Sequence, residues 1–202
     1  LTFDKCTFRN NLAKQSGGAI AYGNSPTLTF ISLTFNDCKF IDNLCDSTGT
    51  TSPGGGALWF NSQEPVNISN CVFTGNQATQ TETRAAGAVG YGHAIYAAPR
   101  SLINVENCKF IDNGADGLES VIQMSGQQFN LTNCEISYTE VGKSCRGIYI
   151  DFPGIVNIVN TKFVNCGKNN NVPAEGGGIL YKANSDSVLE EQINIQGCTF
   201  DN

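Results

Sequence analysis

The chain has 202 residues, 40% hydrophobic and 15% charged, so it can bury a core and is not disordered by composition. Its formal net charge is −6, and it has no run of basic residues, which argues against nucleic acid as a partner. It also lacks a run of about 18 apolar residues, so we predict no membrane-spanning helix.

A repeated cysteine sets the frame of the chain. The first copy is Leu1-Thr2-Phe3, an apolar-polar-apolar segment, followed by Cys6 and then by Phe8. The alternation predicts a short strand with one face buried, and Cys6 and Phe8 share the parity of inward residues. The cysteine position recurs at Cys38, Cys71, Cys108, Cys134 and Cys198, with Thr161 in one further copy.

A corner and a second strand follow each phenylalanine. Asn11 begins a series of Phe-x-x-Asn segments that continues at Asn43, Asn76 and Asn113. We expect these asparagines to adopt the left-handed conformation of a sharp turn. Thr139 and Cys166 stand in their place in the fifth and sixth copies. After a variable loop comes a glycine-led strand, first Gly17-Gly18-Ala19-Ile20.

Such copies cannot bury a face alone, but stacking them about 4.8 Å apart places like residues over like. The sequence therefore predicts an all-β fold, a right-handed parallel β-helix of about six coils, as a single domain over residues 1–202. Because the chain starts and stops within the same strand of the repeat, we expect a fragment of a longer chain or a subunit that stacks end to end.

The alternating glycine and asparagine motifs resemble a known repeat. Gly17-Gly18-Ala19-Ile20 with Phe8-Arg9-Asn10-Asn11, and Gly55-Gly56-Ala57-Leu58 with Phe40-Ile41-Asp42-Asn43, are similar to the GGAI and FxxN motifs of the chlamydial polymorphic outer-membrane proteins. In that family the repeats form surface-exposed passenger domains with adhesive roles. The resemblance implies an extracellular or cell-surface location and an adhesive role, without naming a ligand.

The nine cysteines are odd in number, so they cannot all pair within the chain. No C-x-x-C occurs, and the single histidine, His93, has no metal-ligand spacing, so we expect neither a metal nor another cofactor. Stacked cysteines would lie within disulfide range, but their parallel side chains suit the bond poorly. We favour a ladder of free thiols, with one or two vertical disulfides as the alternative. Cys145 and Cys166 lie outside the frame and have no predicted partner.

Two outward rows are candidates for function. The middle residues of the first strands form a row of Thr2, Thr34, Asn67, Asn104, Asn130, Asn157 and Asn194, whose amides can bond along the axis. Asn67 and Asn130 also begin N-glycosylation sequons. The second row follows the glycines and comprises Ala21, Trp59, Tyr96, Ile122, Tyr149 and Leu180.

The second row is mostly large and apolar, which normally marks an interface or a covered surface. Three interpretations remain open: a protein interface, coverage by the loops over residues 44–53 and 77–84, and stacking of carbohydrate on the aromatic rings.

No constellation of catalytic residues is evident. Asp42 and Asp112 recur two coils apart, Lys39 and Lys109 share an outward position, and Asp151 begins a loop. We therefore predict no catalytic residue, and a non-catalytic extracellular structural or adhesive β-solenoid. It would act through its lateral surface or by end-to-end assembly into a fibre, with proteins or surface glycans as partners. The alternative is a polysaccharide lyase or hydrolase with a loop-built site.

Overall fold

The computed structural model of the protein describes residues 1–23, 31–47, 54–80, 92, 94–97, 101–114, 120–140, 145–151, 154–167, 177–182 and 192–201. Within these ranges the chain forms strands β1–β23, numbered in chain order, and no helix. Sheet A contains β1 (Thr2–Asp4), β5 (Leu33–Asn36), β9 (Pro65–Ser69), β13 (Leu102–Glu106), β16 (Gln128–Thr132), β19 (Ile155–Val159) and β22 (Gln192–Gln196).

The other strands form three further sheets. Sheet B contains β2 (Thr7–Arg9), β6 (Lys39–Ile41), β10 (Val72–Thr74), β14 (Lys109–Ile111), β17 (Glu135–Ser137), β20 (Lys162–Val164) and β23 (Thr199–Asp201). Sheet C contains β3 (Leu12–Ala13), β7 (Leu44–Ser47) and β11 (Gln77–Gln80). Sheet D contains β4 (Ile20–Gly23), β8 (Leu58–Asn61), β12 (Ile95–Ala97), β15 (Ser120–Met124), β18 (Arg146–Asp151) and β21 (Ile179–Lys182).

Each strand pairs in parallel with its equivalent in the next copy, so like residues stack. Phe8 pairs with Phe40, for example, and Asn67 with Asn104. Sheets A and B hold seven strands each and sheet D six, which gives six turns and the start of a seventh and confirms the predicted β-helix. The segments that begin at residues 44 and 77 were expected as loops, but their first four residues are the strands of sheet C.

The corner between sheets A and B consists of one residue in the left-handed region and the repeated cysteine. The left-handed residues are Lys5, Asp37, Asn70, Asn107, Asn133, Asn160 and Gly197, with φ between 50° and 65°. The Cys71 thiol donates to the Ser69 carbonyl (3.2 Å) and accepts from the Cys38 amide (3.3 Å). Thr161 makes the same two contacts through its hydroxyl, which explains how it can replace a cysteine.

All nine cysteines are free, and Cys45 is buried between the registers of Ala13 and Ala78. The predicted thiol ladder is therefore confirmed, and the vertical disulfides are not formed.

At the corner after sheet B, the repeated asparagine is not the left-handed residue that the sequence predicts. The left-handed residues there are Asn10, Asp42, Gly75, Asp112 and Asn165. The asparagine of Phe-x-x-Asn comes next in the first four coils and turns inward, and Asn43, Asn76 and Asn113 are fully buried. The Asn43 amide donates to Asn76 Oδ1 (2.8 Å), and the Asn76 amide donates to Asn113 Oδ1 (2.8 Å). The asparagine is retained for its buried hydrogen bonds, since the preceding residue makes the turn.

The fifth and sixth coils build this corner differently. The amide of Gly167 donates to the carbonyl of Cys145 (2.9 Å), just as Gln77 and Gly114 donate to the carbonyls of Asn43 and Asn76. Cys145, and not Thr139, therefore occupies the asparagine position of the fifth coil, directly above Cys166 in the sixth. Thr139 instead donates to the carboxylate of Asp112 through its amide and hydroxyl.

The core is continuous along the rod. In sheet B the phenylalanine rings stack almost parallel, with centroids 4.9 Å apart for Phe8 and Phe40 and 4.6 Å apart for Phe40 and Phe73. The leading glycine of sheet D is required by the backbone, because a Cβ on Gly17 would lie 2.1 Å from the Ile20 carbonyl oxygen at a φ of +58°. The repeated copies thus specify the interior of the β-helix.

Candidate functional site

The outward row of sheet D is the first candidate surface, and its register corrects one member. Ile122 pairs with Ile95 and Ile148, both inward residues, and is fully buried. Gln123 takes the outward position, because it pairs with Tyr96 and Tyr149. The aromatic row, as we call it, comprises Trp59, Tyr96, Gln123, Tyr149 and Leu180.

Sequence reasoning misplaced this strand for a physical reason. Val121 and Ile122 are adjacent aliphatic residues, and alternation alone cannot say which of them continues the inward ladder. Met124, an apolar residue two positions after Ile122, indicates that Ile122 faces inward. The structure bears this out, because Met124 stacks with the inward residues Ala97 and Ile150.

Trp59 lies at one end of the row, and its indole packs against two glycines. A Cβ on Gly54 would come within 2.8 Å of Trp59 Cδ1 and 2.9 Å of Tyr96 Cδ1, and a Cβ on Gly23 within 3.1 Å of Trp59 Cζ3. Cδ1 belongs to the pyrrole ring and Cζ3 to the benzene ring, so the two glycines lie at opposite ends of the indole. Trp59 stays half-buried, with part of its surface open to solvent.

The centre of the row is covered by the chain itself. Gln123 points away from the core, yet only 1% of its surface is exposed, and its Nε2 has no hydrogen-bond partner. Its neighbours Tyr96 and Tyr149 are half-buried. The chain therefore covers the aromatic row at Gln123, whereas Trp59, Tyr149 and Leu180 remain partly exposed to solvent.

At the other end of the row a carboxylate and a cation lie on adjacent strands. Lys182 is in register with Asp151, and its ammonium group lies 6.0 Å from the centroid of the Tyr149 ring. Burial raises the pKa of the Asp151 carboxyl, and the positive charge of Lys182 opposes this shift.

The other recurring carboxylates have structural roles. Asp42 and Asp112 are the left-handed turn residues after sheet B. In the part of the chain that the structure describes, no group of three or more His, Cys, Asp and Glu side chains could hold a metal ion. His93 lies outside the described residues, as do Glu190 and Glu191.

The asparagine row of sheet A forms the axial ladder that the sequence predicts. Asn104 donates to Asn67 Oδ1 (2.9 Å), Asn130 to Asn104 Oδ1 (2.7 Å) and Asn157 to Asn130 Oδ1 (2.8 Å). Asn67 and Asn130, the two sequon residues, are half-buried on the outer face. Their glycosylation stays a prediction.

Comparison with known proteins places the fold in a family. The family model described as "right handed beta helix region" matches residues 1–202. The chain belongs to this family. The match confirms the handedness, while the finer likeness to the chlamydial repeat stays a resemblance. No match was found to a curated protein or to a solved structure. Over its described residues this β-helix contains no helix long and apolar enough to cross a membrane.

Proposed function

We propose that this β-helix is a non-catalytic extracellular binding protein that uses its lateral surface, chiefly the accessible ends of the aromatic row. The observation that carries the proposal is the indole of Trp59, which two glycines leave room for and which remains half-buried beside Tyr96. Large aromatic side chains supply most of the affinity at binding surfaces because they bury much area at little cost in conformational entropy.

Two points support the alternative, a polysaccharide lyase or hydrolase: β-helix proteins include such enzymes, and burial raises the pKa of Asp151. A hydrolase would need a second carboxylate near Asp151, and the residue in register with Asp151 is the cation Lys182. End-to-end assembly into a fibre stays a prediction.

The test uses the purified chain on an array of extracellular-matrix proteins and glycans. Trp59 is the only tryptophan of the chain, so its fluorescence reports directly on contact at the row. We expect binding to at least one ligand class, with a shift of the emission, and loss of binding in the W59A/Y149A variant. The matched control is I41A/I111A, which truncates half-buried outward residues of sheet B.

Three outcomes would overturn the proposal: W59A/Y149A still binds the ligands that shift the tryptophan emission of the wild type, no ligand on the array shifts that emission, or new chain ends are released from a polysaccharide panel. The last result would establish the enzyme instead. Melting temperatures of both variants show whether the fold is intact.

A further inference from the structure

Sheet B carries an outward row that is separate from the aromatic row. The register places five residues in line along the rod axis: Lys39, Val72, Lys109, Glu135 and Lys162. The sequence alone related only Lys39 to Lys109. The structure adds Lys162 in the same line and puts a single carboxylate, Glu135, between two of the lysines.

The three lysines are exposed and available. In the described part of the chain the ion pairs are those of Lys5 with Asp4 and Lys14 with Asp46, and neither involves this row. Because coils are spaced by about 4.8 Å, the lysines recur about every 10 Å and span about 19 Å. A positive row of this kind is unusual on a protein whose net charge is −6.

The carboxylates beside the lysine row favour a narrow partner over a broad anionic surface. Asp37 lies at the corner before Lys39, Asp42 lies at the corner after sheet B, and both are exposed. A broad anionic surface, such as a membrane or a nucleic-acid duplex, would meet these carboxylates as well as the lysines, and like charges repel. An extended chain lying along the row avoids them.

We propose that the lysine row binds a linear acidic polysaccharide in which every second sugar carries a carboxylate. An extended glycan advances by nearly one coil spacing per sugar, so its carboxylates recur in step with lysines two coils apart. This site is independent of the aromatic row and involves no cleavage. Glu135 weakens the binding because its carboxylate repels the carboxylates of the glycan.

The experiment measures binding of hyaluronan oligosaccharides, whose carboxylates are on alternate sugars, to the wild type and three variants. K39Q/K109Q/K162Q is expected to lose at least about tenfold in affinity, because each exposed charge contact contributes modestly. K5Q/K14Q/K182Q makes the same change in net charge elsewhere and should stay within twofold. E135Q should bind several-fold more tightly, a gain that misfolding cannot imitate.

Two ligand controls complete the design. Carboxyl-reduced hyaluronan should not bind, and polygalacturonate, with a carboxylate on every sugar, should bind more weakly per carboxylate. The proposal is overturned if wild type does not bind hyaluronan, if both triple variants lose affinity equally, if E135Q does not gain, or if the reduced polymer binds equally well. None of these results bears on W59A/Y149A, so failure here is distinguishable from failure of the aromatic row.

Discussion

The corner after sheet B is built in two ways within one molecule. In the first four coils it carries an asparagine whose amide bonds to the coil on either side, as Asn76 does with Asn43 and Asn113. In the fifth and sixth coils Cys145 and Cys166 take that position. A carboxamide offers two strong donors and an acceptor, whereas a thiol is a weak donor and acceptor. The first half is therefore fixed by hydrogen bonds and the second mainly by packing.

Tyr138 compensates for part of this difference. Its buried hydroxyl donates to the carbonyl of Asn113 and also contacts the Cys145 thiol. Asn113, the last asparagine of the ladder, donates to the carbonyl of Phe73 (2.9 Å) as the earlier asparagines do to theirs, and also to the carbonyl of Ile111 (3.2 Å). The Tyr138 hydroxyl thus bonds to the last asparagine of the ladder, where no further side-chain amide follows.

The largest effect is expected from Asn76→Leu. The substitution keeps the branched shape of the side chain but removes four hydrogen bonds from the core, including the one to the carbonyl of Phe40. We expect the free energy of unfolding, measured with urea, to fall by about 4 kcal/mol. Asn157→Leu in the outer ladder is the control and should cost less than about 1 kcal/mol, since water can reach its partners. Equal losses would show that burial does not distinguish the two ladders.

Cys108→Ala tests the corner that both halves share. It removes the sulfur that accepts from the Cys71 amide (3.3 Å) and leaves a small void, so we expect a loss of about 2 kcal/mol. Cys108→Thr restores a donor and an acceptor, as at Thr161, and should recover more than half of that loss in the same urea titration. A threonine variant no better than alanine would mean that the thiol is needed for its volume alone.

Tyr138→Phe tests the closure of the ladder. Loss of the hydroxyl leaves the buried Asn113 carbonyl without this donor, and we expect a loss of about 1.5 kcal/mol in thermal or urea unfolding. Tyr22→Phe is the matched control: its hydroxyl donates to the carbonyl of Ile31 at an exposed site, so the change should stay below about 0.5 kcal/mol. If the two variants cost the same, the buried phenol has no special role.

The effect that is smallest at neutral pH comes from a buried thiol of the second half, and it grows as the pH rises. Burial raises the pKa of the Cys166 thiol to about 12 from a usual value of 9.0. Above pH 9 the unfolded thiol loses its proton while the folded one keeps it, so stability is full below that pH and declines toward pH 12. The decline for this thiol approaches about 1.4 kcal/mol per pH unit. Cys166→Ser should flatten the curve of unfolding free energy against pH, and an unchanged slope would contradict the assignment.

The sequence was informative where stacking repeats a residue type. The Cys, Phe and outer Asn ladders could all be predicted, because a parallel register of like residues leaves few alternatives. Asn11, Asn43, Asn76 and Asn113 were correctly aligned but given the wrong role, since asparagine suits both a left-handed turn and a buried amide ladder, and only the register shows that Asn10 or Asp42 makes the turn.

Other features could not be predicted, because they depend on the lengths of the loops or on the parity of a strand. Cys145 takes the ladder position although it follows Thr139 by six residues, and no local pattern indicates that insertion. Gln123 and Ile122 exchanged places because neighbouring aliphatic residues hide the parity of a strand. Lys162 and Glu135, in contrast, were within reach of the sequence, because each directly follows a framing residue, Thr161 or Cys134, and the register confirms that they line up with Lys109.

We propose that the interior sets the fold while the lateral surface carries the function. The most direct measurement is binding of W59A/Y149A to the array ligand that most strongly shifts the tryptophan emission of the wild type, with the melting temperature recorded on the same sample. We predict a melting temperature close to that of the wild type and a loss of at least about tenfold in affinity, as expected when aromatic anchors are truncated. Unchanged affinity with an intact fold would contradict the claim.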